Sequence, residues 1–448
     1  MNAARGEAGG TIVDAPVAAS ASASASAPQP PHIVSWNLTS RCNLACAHCY
    51  LDAVQRKTQV RDELDTQDAL AVIEQLSRMA PGAMLVLTGG EPLLRPDLAQ
   101  LVEAAAAELM PVVGTNGTLL DAARARTLER AGAAGVGISL DSSTPAFHDR
   151  LRGVPGAFAG ARRGIAAARE AGLAIVVQTT VFEDNRGDLA ALAALAAQAG
   201  AMAFNVFFLV CTGRGVTQTD LSPASYEETL GEIVRLQGRY PGLKIRARCA
   251  PYMRRLQGLH AGESGGGYAD WSSACLAGRR YFRITPQGRV TPCPYVPTPV
   301  GDLRVQSLQQ IWADHATLRA LRTGLPGGKC GECDFRYSCG GCRARALAQY
   351  ADLLAEDPKC AYVPAPGRAP EAPPPTSARP RVTWAPEADA RLARVPAFVR
   401  GKVKSMLEEQ ATRHGVERIT DEFVARYRPP AAVLDRLRTR VGTREPGA

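Results

Sequence analysis

The sequence predicts an α/β protein: a partial (β/α)6 barrel, then a cysteine-rich extension, then a small all-α C-terminal module. Three observations predict it. Strand-like and helix-like apolar patterns alternate six times across residues 31–210, and regular βα repetition implies a parallel sheet with right-handed crossovers. Polar signatures collect just after the strands, where α/β folds place their sites. The chain has twelve cysteines, many in short pairs and triplets, a spacing that suits metal more than disulfides.

In order along the chain, residues 1–30 read as a disordered tail. The Ala-Ser repeat Ala19–Ala27 cannot build a core. Residues 31–210 form the barrel. Ile33–Leu38, Met84–Leu87, Pro111–Gly114, Val136–Leu140, Leu173–Val181 and Ala203–Val210 are short apolar runs that read as buried strands. Between them Ala69–Met79, Leu98–Leu109, Ala122–Ala131, Phe158–Ala171 and Leu189–Ala197 carry helical spacing. Residues 211–269 read as a connecting segment with a helix near Tyr226–Leu236 and a loop at Gly262–Gly267. Residues 270–361 are short, turn-rich and cysteine-dense, and metal can replace a hydrophobic core there. Residues 362–381 hold seven prolines between Pro364 and Pro380 and read as an extended linker. In residues 382–430, Val399, Val403, Met406, Leu407 and Gln410 share a helical face, Gly415 suits a C′ stop, and Thr420 suits an N-cap. Residues 431–448 form a tail.

Bulk properties exclude little. The formal charge is +9, from 52 basic and 43 acidic residues, and the arginines are spread along the chain. That suits a solvated surface or a small anionic partner. No nucleic-acid module signature appears, and no apolar run reaches the ~20 residues a bilayer needs. Without a basic-then-apolar N-terminal signal, the chain reads as cytoplasmic, where twelve half-cystines are not expected.

The chemistry centres on Cys42, Cys46 and Cys49, a Cys-x3-Cys-x2-Cys loop after the first strand. Three thiolates in so short a loop suit three irons of a [4Fe–4S] cube, leaving the fourth iron open for a chelating ligand. Zinc, the rival, usually wants four ligands. The second set is Cys275, Cys293, Cys330, Cys333, Cys339, Cys342 and Cys360, with Gly288 five residues before Cys293. Its rival metal is also zinc. Cys211 reads as a small core hydrophobe.

With His48 before the third cysteine and Tyr50 after it, this loop resembles that of the radical S-adenosylmethionine (SAM) superfamily. Thr88-Gly89-Gly90-Glu91-Pro92 looks like the family's GGEP element. The resemblance implies that Gly89, Gly90, Glu91 and Pro92 meet the SAM amino group, the glycines letting the backbone approach. It also implies that Ser139 and Asp141 reach the ribose and that Gln178 and Thr180 lie near the cofactor. Asn116 would line the same cavity, and His48 and Tyr50 would flank the adenine. For each, an ordinary turn or packing residue is the alternative. The implied chemistry is reductive cleavage of SAM to methionine and a 5′-deoxyadenosyl radical, which abstracts hydrogen from an unactivated C–H. An electron from a reduced ferredoxin- or flavodoxin-type donor is implied with it.

The second set resembles a SPASM domain, whose connectivity would put Cys330, Cys333, Cys339 and Cys360 on one auxiliary [4Fe–4S] cluster. Cys275, Cys293 and Cys342 would serve another, with Cys249 as fourth ligand or the position open to substrate. One departure stands out: two residues, Gly340 and Gly341, separate the last paired cysteines where SPASM domains usually have three. Phrases such as Arg152–Phe158, Thr291–Tyr295 and Glu356–Cys360 are similar to the radical SAM enzymes of heme d1 and siroheme-dependent heme synthesis. These alter acetate or propionate side chains of iron tetrapyrroles. Arg150, Arg152, Arg343 and Arg345 are then candidate carboxylate contacts. Trp384–Ala388, Val395–Lys402 and His414–Thr420 look like the small helical PCP-reductase domain of light-independent protochlorophyllide reductase. The competing expectations are a SPASM-type peptide or protein maturase and a non-catalytic iron–sulfur or electron-transfer protein.

Overall fold

The computed structural model describes residues 28–51, 53–55, 62–259, 275–373, 382–393, 395, 403–404, 406–408, 410–412 and 414–427. The expected tail at Ala19–Ala27, the loop at Gly262–Gly267, the end of the linker, Val399 and residues 431–448 lie outside them.

The predicted βα repetition is present. Strand β1 is Ile33–Asn37, followed by α1 Thr66–Met79, β2 Met84–Thr88, α2 Leu98–Ala106, β3 Met110–Thr115, α3 Ala122–Arg130 and β4 Gly135–Ser139. Then come α4 Pro145–Arg152, α5 Ala157–Glu170, β5 Ala174–Val181, α6 Leu189–Gln198, β6 Ala203–Phe208, α7 Pro223–Arg239 and β7 Lys244–Arg248. Strands β1 to β7 are all parallel neighbours in chain order. Their outer residues share one core with the helices, with Trp36, Leu85, Leu87, Leu101, Phe204 and Phe208 almost wholly buried.

Two helix starts explain the differences from the periodicity. α1 begins at Thr66, three residues before the apolar face, because Asp65 caps it by accepting from the Asp68 N–H at 2.8 Å. α4 escaped the apolar pattern, yet it carries Pro145 in its first turn and Gly153 in the left-handed conformation at its end, the usual asymmetry of helix ends.

The sheet does not stop where the barrel was expected to end. The connecting segment contributes β7 to one edge. The cysteine-rich segment contributes β8 Tyr281–Ile284, which pairs parallel to β1, and then β9 Arg289–Thr291 and β10 Gly301–Asp302, both antiparallel. Ten strands among the described residues form one sheet with two open ends, β10 and β7. The turn-rich extension is therefore partly built on the barrel's own hydrogen bonding.

The C-terminal module has a separate core of Ala385, Ala388, Leu407, Ala411 and Ile419, joined by Val403 and Met406 of the expected helical face. Gly415 takes φ 66°, and the Val416 N–H returns to the Ala411 carbonyl at 2.8 Å, closing the helix as expected. Thr420 caps the last helix, Asp421–Arg426, by accepting from the Phe423 N–H at 3.3 Å. A two-residue parallel ladder, Thr383–Trp384 with Arg418–Ile419, accompanies the helices.

Candidate functional site

The loop after β1 carries Cys42, Cys46 and Cys49. Their side chains share one apolar pocket with Leu44, Ala53, Val154 and Ala157. Burial pushes the Cys42 thiol up to about 12. It also raises Cys46, opposed by the Arg152 guanidinium. Metal must therefore displace these protons as it binds, which makes loading pH-dependent. No three Cys, His, Asp or Glu side chains among the described residues converge tightly enough for a single ion. A four-iron cube holds its thiolates at separate corners and accepts a wider triangle than zinc.

The loop is gripped from two sides. On one, the C-terminal turn of α4 accepts from it: Ala45 N–H to Arg152 O at 3.1 Å and Ala47 N–H to Leu151 O at 2.8 Å. Gly153 (φ 71°) packs so closely that a Cβ there would sit 2.6 Å from the Ala45 carbonyl oxygen. On the other, Arg214 donates from Nε to Cys46 O and from Nη2 to Ala53 O, both at 2.9 Å. Neither grip was legible in spacing, because both elements are more than a hundred residues away.

Beneath the loop lies a buried charge set. Arg152 Nη1 donates to Cys46 Sγ at 3.7 Å, and Nη2 pairs with Asp141 Oδ2 at 2.5 Å. His48 Nε2 approaches the same oxygen at 3.7 Å. Asp141 Oδ1 accepts from the Thr180 N–H at 3.0 Å, and His148 Nδ1 accepts from the Asp141 N–H at 3.1 Å. Burial drives His48 down to about 4, against the pull of Asp141. Asp141 itself lies at about 2: burial would raise it, but the Arg152, His48 and His148 charges outweigh burial. Asp141 and His48 thus face each other and Arg152. Arg152, expected to meet a substrate carboxylate, is committed to Asp141 instead.

The GGEP element leans on the cluster loop. Gly90 N–H donates to Thr39 O at 2.7 Å and Glu91 N–H to Arg41 O at 2.8 Å. A Cβ on Gly90 would stand 2.1 Å from Arg41 O. The Glu91 carboxylate is fully buried and accepts from Thr115 Oγ1 at 2.7 Å, Asn116 N–H at 2.9 Å and Leu93 N–H at 3.1 Å. Pro92 opens a short 3-10 turn, Pro92–Leu94. Asn116 ties β3's end to the loop, its Nδ2 donating to Asn43 Oδ1 at 2.8 Å. A Gly90→Ala substitution should therefore push the loop and the element apart. The expected result is loss of one cluster's iron and of SAM cleavage with the C-terminal core intact, read by iron analysis and 5′-deoxyadenosine assay.

Ser139, Gln178 and Thr180 are half-buried on the inner face of the sheet. Gln178 lies over Gly137, where a Cβ would meet its Nε2 at 2.7 Å. Tyr50 turns toward the extension: its ring meets that of Tyr295 edge-on at 5.5 Å, and its hydroxyl accepts from Asn37 Nδ2 at 3.1 Å. Arg283 donates to Asn37 Oδ1 at 2.5 Å and to Pro294 O at 3.4 Å. The residues after Cys49 and after Cys293 are thereby in contact.

The second cysteine set divides in two. Burial first, then neighbouring thiols, raise Cys339 through Cys360 and Cys330. Cys333, at about 11, is likewise raised in part by Cys360. In the other group burial and then Cys249 and Cys275 raise Cys293. Cys342 reaches about 12, with Cys275 and Cys249 among the causes, opposed by Arg345. Cys249 packs in one apolar cluster with Cys293 and Cys342. Its backbone is left-handed, φ 57°, a conformation costly for a residue with a Cβ and often kept for function. Cys211 packs with Leu151, Phe182 and Leu209 instead.

At the shortened spacing Gly340 and Gly341 both take positive φ, 67° and 70°, a conformation that favours glycine. A Cβ on Gly341 would lie 2.8 Å from Asp357 Cβ and 3.2 Å from Cys330 Sγ. Asp357, part of the Glu356–Cys360 phrase, accepts from the Cys342 N–H at 2.7 Å and donates its own N–H to Cys330 Sγ at 3.4 Å. Arg343 donates to the carbonyls of Leu353 and Ala355 at 3.0 and 2.8 Å. Arg345 donates to those of Cys249 and Leu209 at 2.6 and 3.0 Å. Neither is available to a substrate, which corrects that expectation. Arg150 is exposed and lies over Phe147 at 4.9 Å. A hollow of about 670 Å³ opens between α5 and α6 on the outer side and is not part of this site.

The donor sets suggest a test: Cys333→Ala should lower total iron while leaving the SAM-dependent cluster signal, by iron count and electron paramagnetic resonance.

Comparison with known proteins matches residues 36–196 to the radical SAM superfamily, 275–342 to an iron–sulfur cluster-binding domain (SPASM) and 384–428 to the proto-chlorophyllide reductase 57 kD subunit. The AdoMet-dependent heme synthase of Methanosarcina barkeri is 36% identical over 75% of this chain and 97% of its own. The Fe-coproporphyrin III synthase of the same organism is 28% identical over 73% of this chain and 87% of its own. The mycofactocin maturase MftC of Mycobacterium ulcerans is 32% identical over 74% of this chain and 88% of its own. Among solved structures, Streptococcus suis SuiB bound to precursor peptide SuiA superposes with TM-score 0.61 at 16% identity, over 75% of this chain and 77% of that one.

Proposed function

The chain belongs to the radical SAM superfamily, in its SPASM-containing branch, and we propose that it modifies acetate or propionate side chains of an iron tetrapyrrole in heme formation. The observation that carries this reading is the likeness to the AdoMet-dependent heme synthase, which spans nearly all of that relative. [4Fe–4S] clusters and SAM are its cofactors, and SAM supplies a 5′-deoxyadenosyl radical for abstracting hydrogen from carbon.

The remaining work falls to residues of this chain. Cys42, Cys46 and Cys49 hold the catalytic cluster, and three thiols in one apolar pocket suit a cube that keeps one position open. Gly89 and Gly90 bring backbone close to that position, while Glu91 and Asn116 hold the loop and β3 in register. Ser139, Gln178 and Thr180 line the inner face beside it. Asp141 and His48 act through Arg152 on the loop. Cys330, Cys333, Cys339 and Cys360 hold one auxiliary cluster, and Cys249, Cys275, Cys293 and Cys342 the other, closed by Cys249. A reduced ferredoxin- or flavodoxin-type protein donates the electrons. No helix among the described residues is long and apolar enough to cross a membrane.

The test is anaerobic. Reconstituted protein is given SAM, dithionite and a panel of iron tetrapyrroles, and 5′-deoxyadenosine and tetrapyrrole mass are followed. Turnover stimulated by one tetrapyrrole, with a mass change on it, is the expected result. The likeness to the mycofactocin maturase favours a second reading, a peptide maturase. Steady SAM cleavage indifferent to every tetrapyrrole would move the assignment there.

A further inference from the structure

Helix α6 carries no charged side chain. A helix that is apolar all round is normally buried all round. Here Leu189, Leu192, Ala193 and Ala196 face the core, while Ala191 is exposed and Ala194 and Leu195 are only half-buried. That open side forms one wall of the 670 Å³ hollow, and Phe158, Ala159, Arg162 and Arg163 of α5 form the other.

The groove has an apolar floor and a cationic rim. Arg162 and Arg163 are exposed, and neither has an ion pair, hydrogen bond or ring contact among the described residues. Arg169, about two turns further along α5, borders a continuation of the groove past Leu195. No acidic residue lines the hollow. The carboxylates toward its upper end are engaged. Asp188 accepts from Ser142 Oγ and the Ser143 N–H at 2.6 and 2.5 Å. Asp149 accepts from the Gly156 and Phe158 N–H groups at 2.6 and 2.7 Å.

One end of this groove adjoins the cluster loop. Ala157, the first residue of α5, is buried in the same apolar cluster as Cys42, Cys46 and Cys49. Arg162 and Arg163 follow about 7.5–9 Å along the helix axis. The Phe158 ring meets His148 edge-on at 5.9 Å. His148 accepts from the Asp141 N–H, and Arg152 joins Asp141 to Cys46 Sγ. Packed groups thus lead from the groove wall to a thiol of the catalytic cluster. Opposite charge steers a partner to such a rim, and electron-transfer contacts are small, under about 1,200 Å².

We propose that the α5–α6 groove docks the reduced electron donor, an acidic one-electron protein. Arg162 and Arg163 meet its carboxylates, and Ala191 and Leu195 meet the apolar centre of its contact surface. This rests on the ferredoxin- or flavodoxin-type donor read above. One electron leaves the donor, which is oxidised, and enters the cluster on Cys42, Cys46 and Cys49, which is reduced. No bond forms or breaks in this step.

The test uses the reconstituted full chain with an acidic flavodoxin and an acidic [2Fe–2S] ferredoxin as probes. Binding is read by calorimetry at low salt, and donor-driven 5′-deoxyadenosine formation is followed beside it. R162E/R163E should bind the probes about tenfold or more weakly, since reversed rim charges slow association. Donor-driven cleavage at subsaturating donor should fall with binding. Cleavage driven by dithionite, which needs no docking surface, should match the unmodified enzyme. At about 1 M salt, where screening acts within ~3 Å, the two affinities should converge to within about twofold. A191W fills the groove without changing charge and should also weaken binding about tenfold. R235E/R239E makes the same reversal at exposed positions on α7 and should leave affinity within about twofold. Should R162E/R163E fail to take up iron, R162Q/R163Q takes its place, with about threefold weakening expected. Unchanged affinity in the rim variant or in A191W overturns the groove, as does equal weakening by R235E/R239E. Loss of a dimer in A191W with donor affinity kept, read by light scattering, would give the groove to a second copy of this chain and overturn the proposal. An unmodified enzyme that binds neither probe and cleaves SAM only with dithionite overturns the acidic-donor reading itself.

Discussion

Cys42→Ala yields a protein that keeps its auxiliary iron and does not cleave SAM. Cys42 is the most enclosed of the three loop cysteines, and its Sγ accepts the Leu44 N–H at 3.4 Å. Two remaining thiolates cannot hold a cube that already lacks a fourth protein ligand. Of the auxiliary thiols, Cys249, Cys293 and Cys342 sit in a separate pocket with Val210, Val296 and Ala344, and Cys339 and Cys360 pack at the main core. Iron should fall by one cluster's complement, and 5′-deoxyadenosine should fall to the level of a no-enzyme control. Full cleavage by this variant would remove the loop from the chemistry.

Arg152→Met is the second large effect, and it acts at a distance from any substrate. The change leaves Asp141 buried without its main cation. Breaking one side of a buried pair costs about 3–5 kcal/mol, a large fraction of a domain's stability. It also removes the N–H donated to Cys46 Sγ. Hydrogen bonds to cluster sulfurs and nearby positive charge raise reduction potential, so the catalytic cluster should become harder to reduce. Urea unfolding and potentiometric electron paramagnetic resonance read the two effects separately. Arg152→Lys, which retains charge but not the fork, should recover stability in part. An unchanged potential in a folded Arg152→Met protein would reduce Arg152 to a structural ion pair.

Much of this site was legible in sequence for a local reason. Cys42, Cys46 and Cys49 lie within eight residues, and Gly89 to Pro92 are contiguous, so their spacing carries chemistry without a fold. The strands were legible because they are short and mostly apolar, with their core-facing residues buried and, in β2, β3 and β5, half-buried residues alternating with them. The helix α4 was missed by its apolar pattern, although Pro145 and Gly153 marked its ends.

The partners of the arginines were not legible. A guanidinium reads the same in sequence whether it meets a ligand, Asp141 or a carbonyl. Arg152, Arg343 and Arg345 looked like carboxylate contacts and turned out to hold the backbone and the buried acid. By itself the sequence determined the βα order, the cysteine spacings and the phrases that identify the family, since these are contiguous along the chain. Only the tertiary structure decided that the extension continues the barrel sheet through β8 and that Cys249 packs beside Cys293 and Cys342. Those outcomes depend on strand register and on contacts across more than a hundred residues, which local patterns do not encode.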